Sequence, residues 1–351
     1  MAGRNRSRPS RGGSAGESTR PPSGGIRTGV TVAVIGLLVV GVAAARLWSG
    51  RAESDPGPAL IQPQATTGRA SQANAGVFDS ARAWAHLQQI VTIGPRPSGS
   101  AQIRQTRAYI TRQMAALGLT VQEQPFTATT PLGRIEMANL IVRLPGTRSD
   151  RILLAGHYDT KLFKDQVFVG ASDGGSSAAF LIELARALKD RPREFTYEIV
   201  WFDGEEAVVD WYHASGTDHT YGSRYYVQAA REAKALASVR ALVLVDMIGD
   251  RELKIRRDTR STAWLTNLIW TAARRLNHHS TFVDETTDVD DDHVPFLAAG
   301  VPAVDIIDLD YPQWHTPDDT LEHVSARSLQ IVGDVLLAAL PDIEGHLVKS
   351  N

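Results

Sequence analysis

Five short stretches of this chain hold side chains fit for chemistry, and each lies close to an apolar run. Leu153–Thr160 (LLAGHYDT) places His157 two positions ahead of Asp159, and Gly170–Ser177 (GASDGGSS) sets Asp173 among small residues. Trp201–Ala207 (WFDGEEA) crowds Asp203, Glu205 and Glu206 together. VDMIGD ends an apolar run in Asp246, and Asp310–Asp319 (DYPQWHTPDD) holds His315 between Trp314 and Thr316. Singly, most have an ordinary explanation. H-x-D is commonly a satisfied histidine at a capped turn, Asp173 could cap the helix that follows it, and a lone loop histidine usually does nothing. The acid pair is harder to explain away. Neighbouring carboxylates at the end of a buried strand repel unless a cation neutralises one. One glutamate on a metal, with its neighbour left as a proton carrier, is a sensible division of labour. Five such motifs in one order make coincidence a poor account.

Composition narrows the chemistry. The chain has no cysteine, so disulfides, thiolate metal sites and a cysteine nucleophile are excluded, and any metal must sit on His and carboxylates. A formal net charge of −2, with no basic cluster on one face, gives no footprint for nucleic acid. At 351 residues and 43% hydrophobic content, the chain can bury one large core or two smaller ones.

The elements that must position these residues alternate in type. Ala81–Val91, Ile103–Leu117, Ser176–Leu188, Ser261–Leu276 and Ser325–Leu340 carry apolar residues at helical spacing. Asn139–Leu144, Ile152–Ala155, Tyr197–Phe202, Ala241–Val245 and Ala303–Ile307 are short apolar runs expected as buried strands. This order predicts an α/β fold, a three-layer sandwich whose central, mostly parallel mixed β-sheet carries helices on both faces. The acids and imidazoles follow the strands, at the carboxyl edge where such sheets bind ligands.

Taken together, the motifs from Gly94–Ser100 (GPRPSGS) to the C-terminal helix resemble the zinc aminopeptidases of the M28 superfamily. Within it the closer resemblance is to the glutaminyl cyclases. A long insertion carrying Trp211 and Asp218 separates Glu206 from Tyr221-Gly222-Ser223-Arg224; Asp291–Ile307 resembles the cyclase segment bearing a network Asp; and Trp314 directly precedes His315. The loop before Trp314 departs from the animal pattern, a residue shorter and with Tyr311 in place of Phe. The resemblance implies one Zn²⁺ on Asp173, Glu206 and His315, with Glu205, Asp246 and Asp291 catalytic and Trp211, Tyr311 and Trp314 walling the pocket. His157 and Asp246 then mark a second-metal remnant, or a second zinc if the chain is an aminopeptidase. The implied reaction converts N-terminal Gln of peptides or proteins to pyroglutamate with release of ammonia. Hydrolysis of N-terminal residues is one alternative, and a non-catalytic binding ectodomain of the same fold is another.

The N-terminal part reads separately. Residues 1–27 have the composition expected of a basic, disordered tail on the cytoplasmic side, and residues 28–48 contain the apolar run Val30–Ala45 closed by Arg46 and Trp48. That run is expected to be a transmembrane signal anchor, or a signal peptide cleaved after Ala43-Ala44-Ala45. Residues 49–75 are a linker, and the catalytic zinc domain is expected over 76–347 as a monomer outside the cytoplasm, membrane-anchored or secreted.

Overall fold

Alternation along the central strands determines the layering. The computed structural model describes residues 76–214 and 216–350. In β3 (Arg148–His157), β4 (Phe195–Phe202) and β5 (Val239–Asp246), successive side chains project to opposite faces. Ile152, Leu154, Ile199, Trp201, Val243 and Val245 join one large core, whereas Leu153, Ala155, Val200, Phe202, Leu242 and Leu244 join a smaller one. Both faces are apolar because both are covered.

The sheet has six strands in the order β1-β2-β4-β3-β5-β8, where β1 is Val121–Thr130, β2 is Gly133–Leu144 and β8 is Ala303–Ile307. The β1/β2 and β2/β4 pairs are antiparallel, and β3/β4, β3/β5 and β5/β8 are parallel. The carboxyl ends of β3, β4, β5 and β8 therefore share one edge. A separate parallel pair joins β6 (Ile255–Asp258) to β7 (Phe282–Thr287).

Helices α1 (Ser80–Ile93), α2 (Ala101–Ala116), α3 (Gly175–Leu188), α5 (Ala263–Arg275) and α7 (Ala326–Lys349) contribute to the larger core. The smaller core is closed by Tyr226 and Val227 of α4 (Tyr221–Glu232) and Phe296 of α6 (Val294–Ala298). The three-layer sandwich expected from the sequence is what the chain adopts. Local signals fix its helix ends: Asp79 caps α1, Ser100 Oγ accepts from Ile103 N at 3.0 Å to cap α2, and Gly94 stops α1 at φ +92°.

The tail, the apolar run at 28–48 and the linker to residue 75 lie outside the described residues. Among the described residues, no helix is long and apolar enough to cross a membrane.

Candidate metal centre and active site

The shared sheet edge gathers the chemistry. His157 is the last residue of β3 and Asp246 the last of β5, while Glu205 and Glu206 follow β4 by three and four residues. His315 comes from the loop after β8, and Asp173 from the turn that leads into α3.

Asp173 does not cap that helix. The cap position is Gly174 at φ +71°, with no side-chain cap bond, and a Cβ there would stand 2.3 Å from the Asp159 carbonyl oxygen. The carboxylate instead lies between two imidazoles: Oδ1 is 3.2 Å from His157 Nε2, and Oδ2 is 3.3 Å from His315 Nε2. His315 Nε2 is also 3.2 Å from Glu206 Oε1, and His157 Nε2 is 3.0 Å from Asp246 Oδ1. Two groups result, Asp173–Glu206–His315 and His157–Asp173–Asp246, in each of which the ligand atoms lie within 4.8 Å of one another. Asp173 belongs to both.

A divalent cation fits this arrangement. Asp173 Oδ2 is buried and accepts no hydrogen bond of proper geometry. Carboxylate oxygen and imidazole nitrogen are ligands that Zn²⁺ accepts. Burial and crowding shift the protonation of these groups. Burial, then the Asp173 charge, pushes the Glu206 carboxyl up to about 7. Burial raises Glu205 well above the carboxylate range against the pull of His157, with Asp291 and Glu206 adding to the rise. Burial alone would keep His315 neutral, but Glu206 and Asp173 push it up to about 10.

The Glu pair is held from behind. Asp159 accepts from Glu205 N at 3.2 Å and from Glu206 N at 3.3 Å, so the second member of H-x-D orients backbone and binds no metal group. Glu206 Oε1 also accepts from Lys161 N at 3.0 Å, while Glu205 Oε2 lies 3.8 Å from His157 Nδ1. Asp203, the third acid of the crowded stretch, points elsewhere: it accepts from Ser98 Oγ at 2.6 Å and from Ala138 N at 2.9 Å.

The turn carrying Asp173 is gripped on two sides by residues that sequence reasoning did not single out. Arg96 is fully buried and donates to the carbonyls of Tyr158, Val169, Gly170 and Asp173 at 2.6–3.3 Å. Asp319 accepts from Ser172 N at 2.8 Å and Asp173 N at 3.0 Å. Arg96 stood inside the GPRPSGS stretch and Asp319 inside DYPQWHTPDD, but neither sequence position reveals whether a side chain turns inward.

A cavity of about 360 Å³ opens over the first group and is lined by Asp173, Glu205, Glu206, Asp246, Asp291 and His315 among others. Trp211 and Trp314 also line it; the Trp314 ring stacks on His315 at 4.5 Å, and that of Trp211 on His219 at 3.8 Å. Tyr311 corrects the sequence expectation. It is buried, is absent from the cavity lining, and donates its hydroxyl to Asp319 Oδ1 at 2.9 Å. Its loop turns the ring inward onto Met247, Val289 and Ile307. His157 is buried and is likewise not part of the lining.

The sequence pattern of peptidase family M28 matches residues 139–340, which include every residue of the two groups. The chain belongs to peptidase family M28. Within M28, it is 30% identical over 300 residues to the glutaminyl-peptide cyclotransferase-like protein of Mus musculus, covering 77% of each chain. With the glutaminyl-peptide cyclotransferase of Bothrops jararaca it shares 30% identity over 280 residues, 69% of this chain and 75% of that one. A solved structure, the Acidobacteriales bacterium glutaminyl cyclase, superposes with a TM-score of 0.73 at 36% identity, covering 84% of this chain and all of that one. This M28 chain is thus a glutaminyl cyclase relative in sequence and in fold.

Proposed function

We propose that this chain is a zinc-dependent glutaminyl-peptide cyclotransferase, acting on the N-terminal glutamine of peptides or proteins. The observation that carries the reading is one cavity in which Asp173, Glu206 and His315 converge with Glu205 at their side and indoles on the wall. Similarity to glutaminyl cyclases across most of the chain supports it.

In the reaction, the substrate's α-amine attacks its own side-chain amide carbon. A C–N bond forms, the bond to the amide nitrogen breaks, and ammonia leaves with the proton the amine gave up. Asp173, Glu206 and His315 would hold one zinc ion, which supplies Lewis-acid polarisation of the amide carbonyl when bound. Glu205 takes the amine proton and delivers it to the departing nitrogen; a carboxyl lifted by burial suits both directions of that transfer. Asp246 and Asp291 line the same cavity. Burial, then the Asp246 charge, pushes Asp291 up to about 6, so a proton can rest within the acid network between steps. Trp211 and Trp314 exclude water and favour the curled conformer in which amine and amide meet. Placing the ion at the group that lines the cavity, and leaving His157 with Asp246 as a hydrogen-bonded pair, favours one zinc per chain.

Aminopeptidase activity is the second reading, and the intact His157–Asp173–Asp246 group favours it. Purified protein offered a glutaminyl peptide and a leucyl amide separates the two. Ammonia with a blocked N-terminus is the expected product; free leucine would establish hydrolysis instead. We take the working unit as residues 76–347, acting as a monomer. The basic residues ahead of the apolar run Val30–Ala45 support attachment to a membrane, or export across it, with this unit outside the cytoplasm.

A further inference from the structure

The catalytic cavity carries more negative charge than its chemistry needs. Eight of the side chains lining it are Asp or Glu, and the one Lys among them, Lys161, donates its Nζ to the Ala207 carbonyl at 2.6 Å. Asp173 and Glu206 belong to the metal group, Glu205, Asp246 and Asp291 are buried beside it, and Asp210, Asp288 and Asp290 sit at the mouth. One lip bears Val209, Asp210 and Tyr212; the other bears Asp288, Val289 and Asp290.

Both lips are built. Asp218 Oδ2 accepts from Val209 N at 2.7 Å and from Asp210 N at 3.1 Å, pinning the first. Val289 N donates to Asp258 Oδ1 at 3.1 Å, pinning the second. The charges are only partly answered. Arg260 lies 2.6 Å from Asp288 and 3.8 Å from Asp290, one guanidinium for two acids. Asp210 accepts from Tyr212 N at 3.2 Å, and no cation is seen against it among the described residues. Deeper in the same cavity, Asp291 is 3% exposed and its Oδ2 has no hydrogen-bond partner. Apolar surface accompanies the acids: Tyr212 is 84% exposed and Val209 is 45% exposed.

We propose that the two lips form a subsite for the residue that follows the N-terminal glutamine, and that they select a basic one. A Lys or Arg stem lies along Val209 and the Tyr212 ring, and its cationic head reaches Asp210 and Asp290. A low-dielectric cleft lined by one sign of charge also concentrates cationic peptides at its mouth. An acidic residue in that position meets the same field as repulsion. This selectivity rests on the cyclase reading given above.

The test compares kcat/KM for Gln-Arg, Gln-Ala and Gln-Glu peptides of equal length, in the whole protein and in its D210N/D290N variant. The wild type should favour Gln-Arg over Gln-Glu by about tenfold or more, chiefly through KM, and 0.5 M salt should compress that ratio. The double variant should bring it down to about two- to threefold. Equal turnover of the three peptides, or a ratio the variant leaves unchanged, overturns the subsite. Absence of pyroglutamate from all three, Gln-Ala included, would overturn the cyclase reading itself, so the two failures are told apart.

Discussion

Glu205 and His315 line the same cavity, yet their removal should have different consequences. Glu205 belongs to neither ligand group, so Glu205→Gln keeps the shape and the metal and removes only the proton carrier. Turnover should fall by about 10²–10⁴-fold with the metal-to-protein ratio unchanged. Near wild-type turnover would take Glu205 out of the mechanism. His315→Ala removes a nitrogen ligand, and Trp314 loses the ring it stacks on. Bound zinc and activity should disappear together, as elemental analysis of the dialysed protein would reveal; retained stoichiometric zinc would contradict the ligand assignment. His315 has φ +56°, a conformation that a residue with a side chain adopts at some cost. Gln166 Nε2 donates to its carbonyl at 3.1 Å, one of the contacts that hold it there.

At the scale of elements, ligand geometry is set by residues one layer further out. Tyr311→Phe deletes the hydroxyl bond to Asp319, which in turn grips the backbone of Ser172 and Asp173. Loss of such support typically costs about 10–100-fold in metal affinity, against only about 1 kcal/mol of stability. Competition with a chelator should detect the first and thermal unfolding the second. Unaltered zinc affinity would show that Asp319 holds the turn unaided. Helix α7 offers a case where two effects oppose. Gly→Ala inside a helix normally gains about 1 kcal/mol. At Gly333, however, the new Cβ would stand 2.3 Å from the ring of Phe78, itself buried, and overpacking of this kind costs about 1–3 kcal/mol. Gly333→Ala should therefore lower the midpoint of denaturant unfolding.

The same scale explains how much could be read in advance. The five buried strands named from sequence all formed, because runs such as YEIVWF are apolar on both faces and hence legible without a partner. Strand β1 was not visible. It is an edge strand, VQEQPFTATT, interrupted by Pro125 and tolerated since it pairs on one side only. Helix α4 was missed as well: it starts after Thr220 in a left-handed conformation with no side-chain cap, so the usual start signal is absent. The residues that converge at the sheet edge were legible because the motifs that hold them, each beside an apolar run, resemble those of M28 enzymes. The inward turn of Tyr311 and the burial of Arg96 were not, since both depend on contacts between distant segments.

For the molecule as a whole, pH acts through groups outside the site too. Burial, and secondarily the charge of Arg82, pushes His86 down to about 4, and its Nδ1 lies 2.7 Å from the Tyr109 hydroxyl. An imidazole whose folded value is depressed below its ordinary 6.5 favours the fold fully above that pH. The contribution is lost as pH falls from 6.5 towards 4, where the unfolded chain binds the proton first. Asp308, pushed up to about 6 by burial, works in the opposite sense: its contribution is present below the ordinary carboxyl value of 3.8 and is lost as pH rises through 6. His86→Gln should flatten the fall in melting temperature between pH 7 and pH 5 relative to the parent. An identical slope in both proteins would remove His86 from the acid response.

Asp173 precedes α3, Glu206 follows β4 and His315 follows β8, and β8 joins the sheet only through β5. A fragment that stops short of β8 lacks His315 and leaves the Asp173–Glu206–His315 group incomplete, however well its other strands associate. Zinc at that group therefore requires β8 in place, and a chelator competition on the truncated and whole chains would compare their affinities.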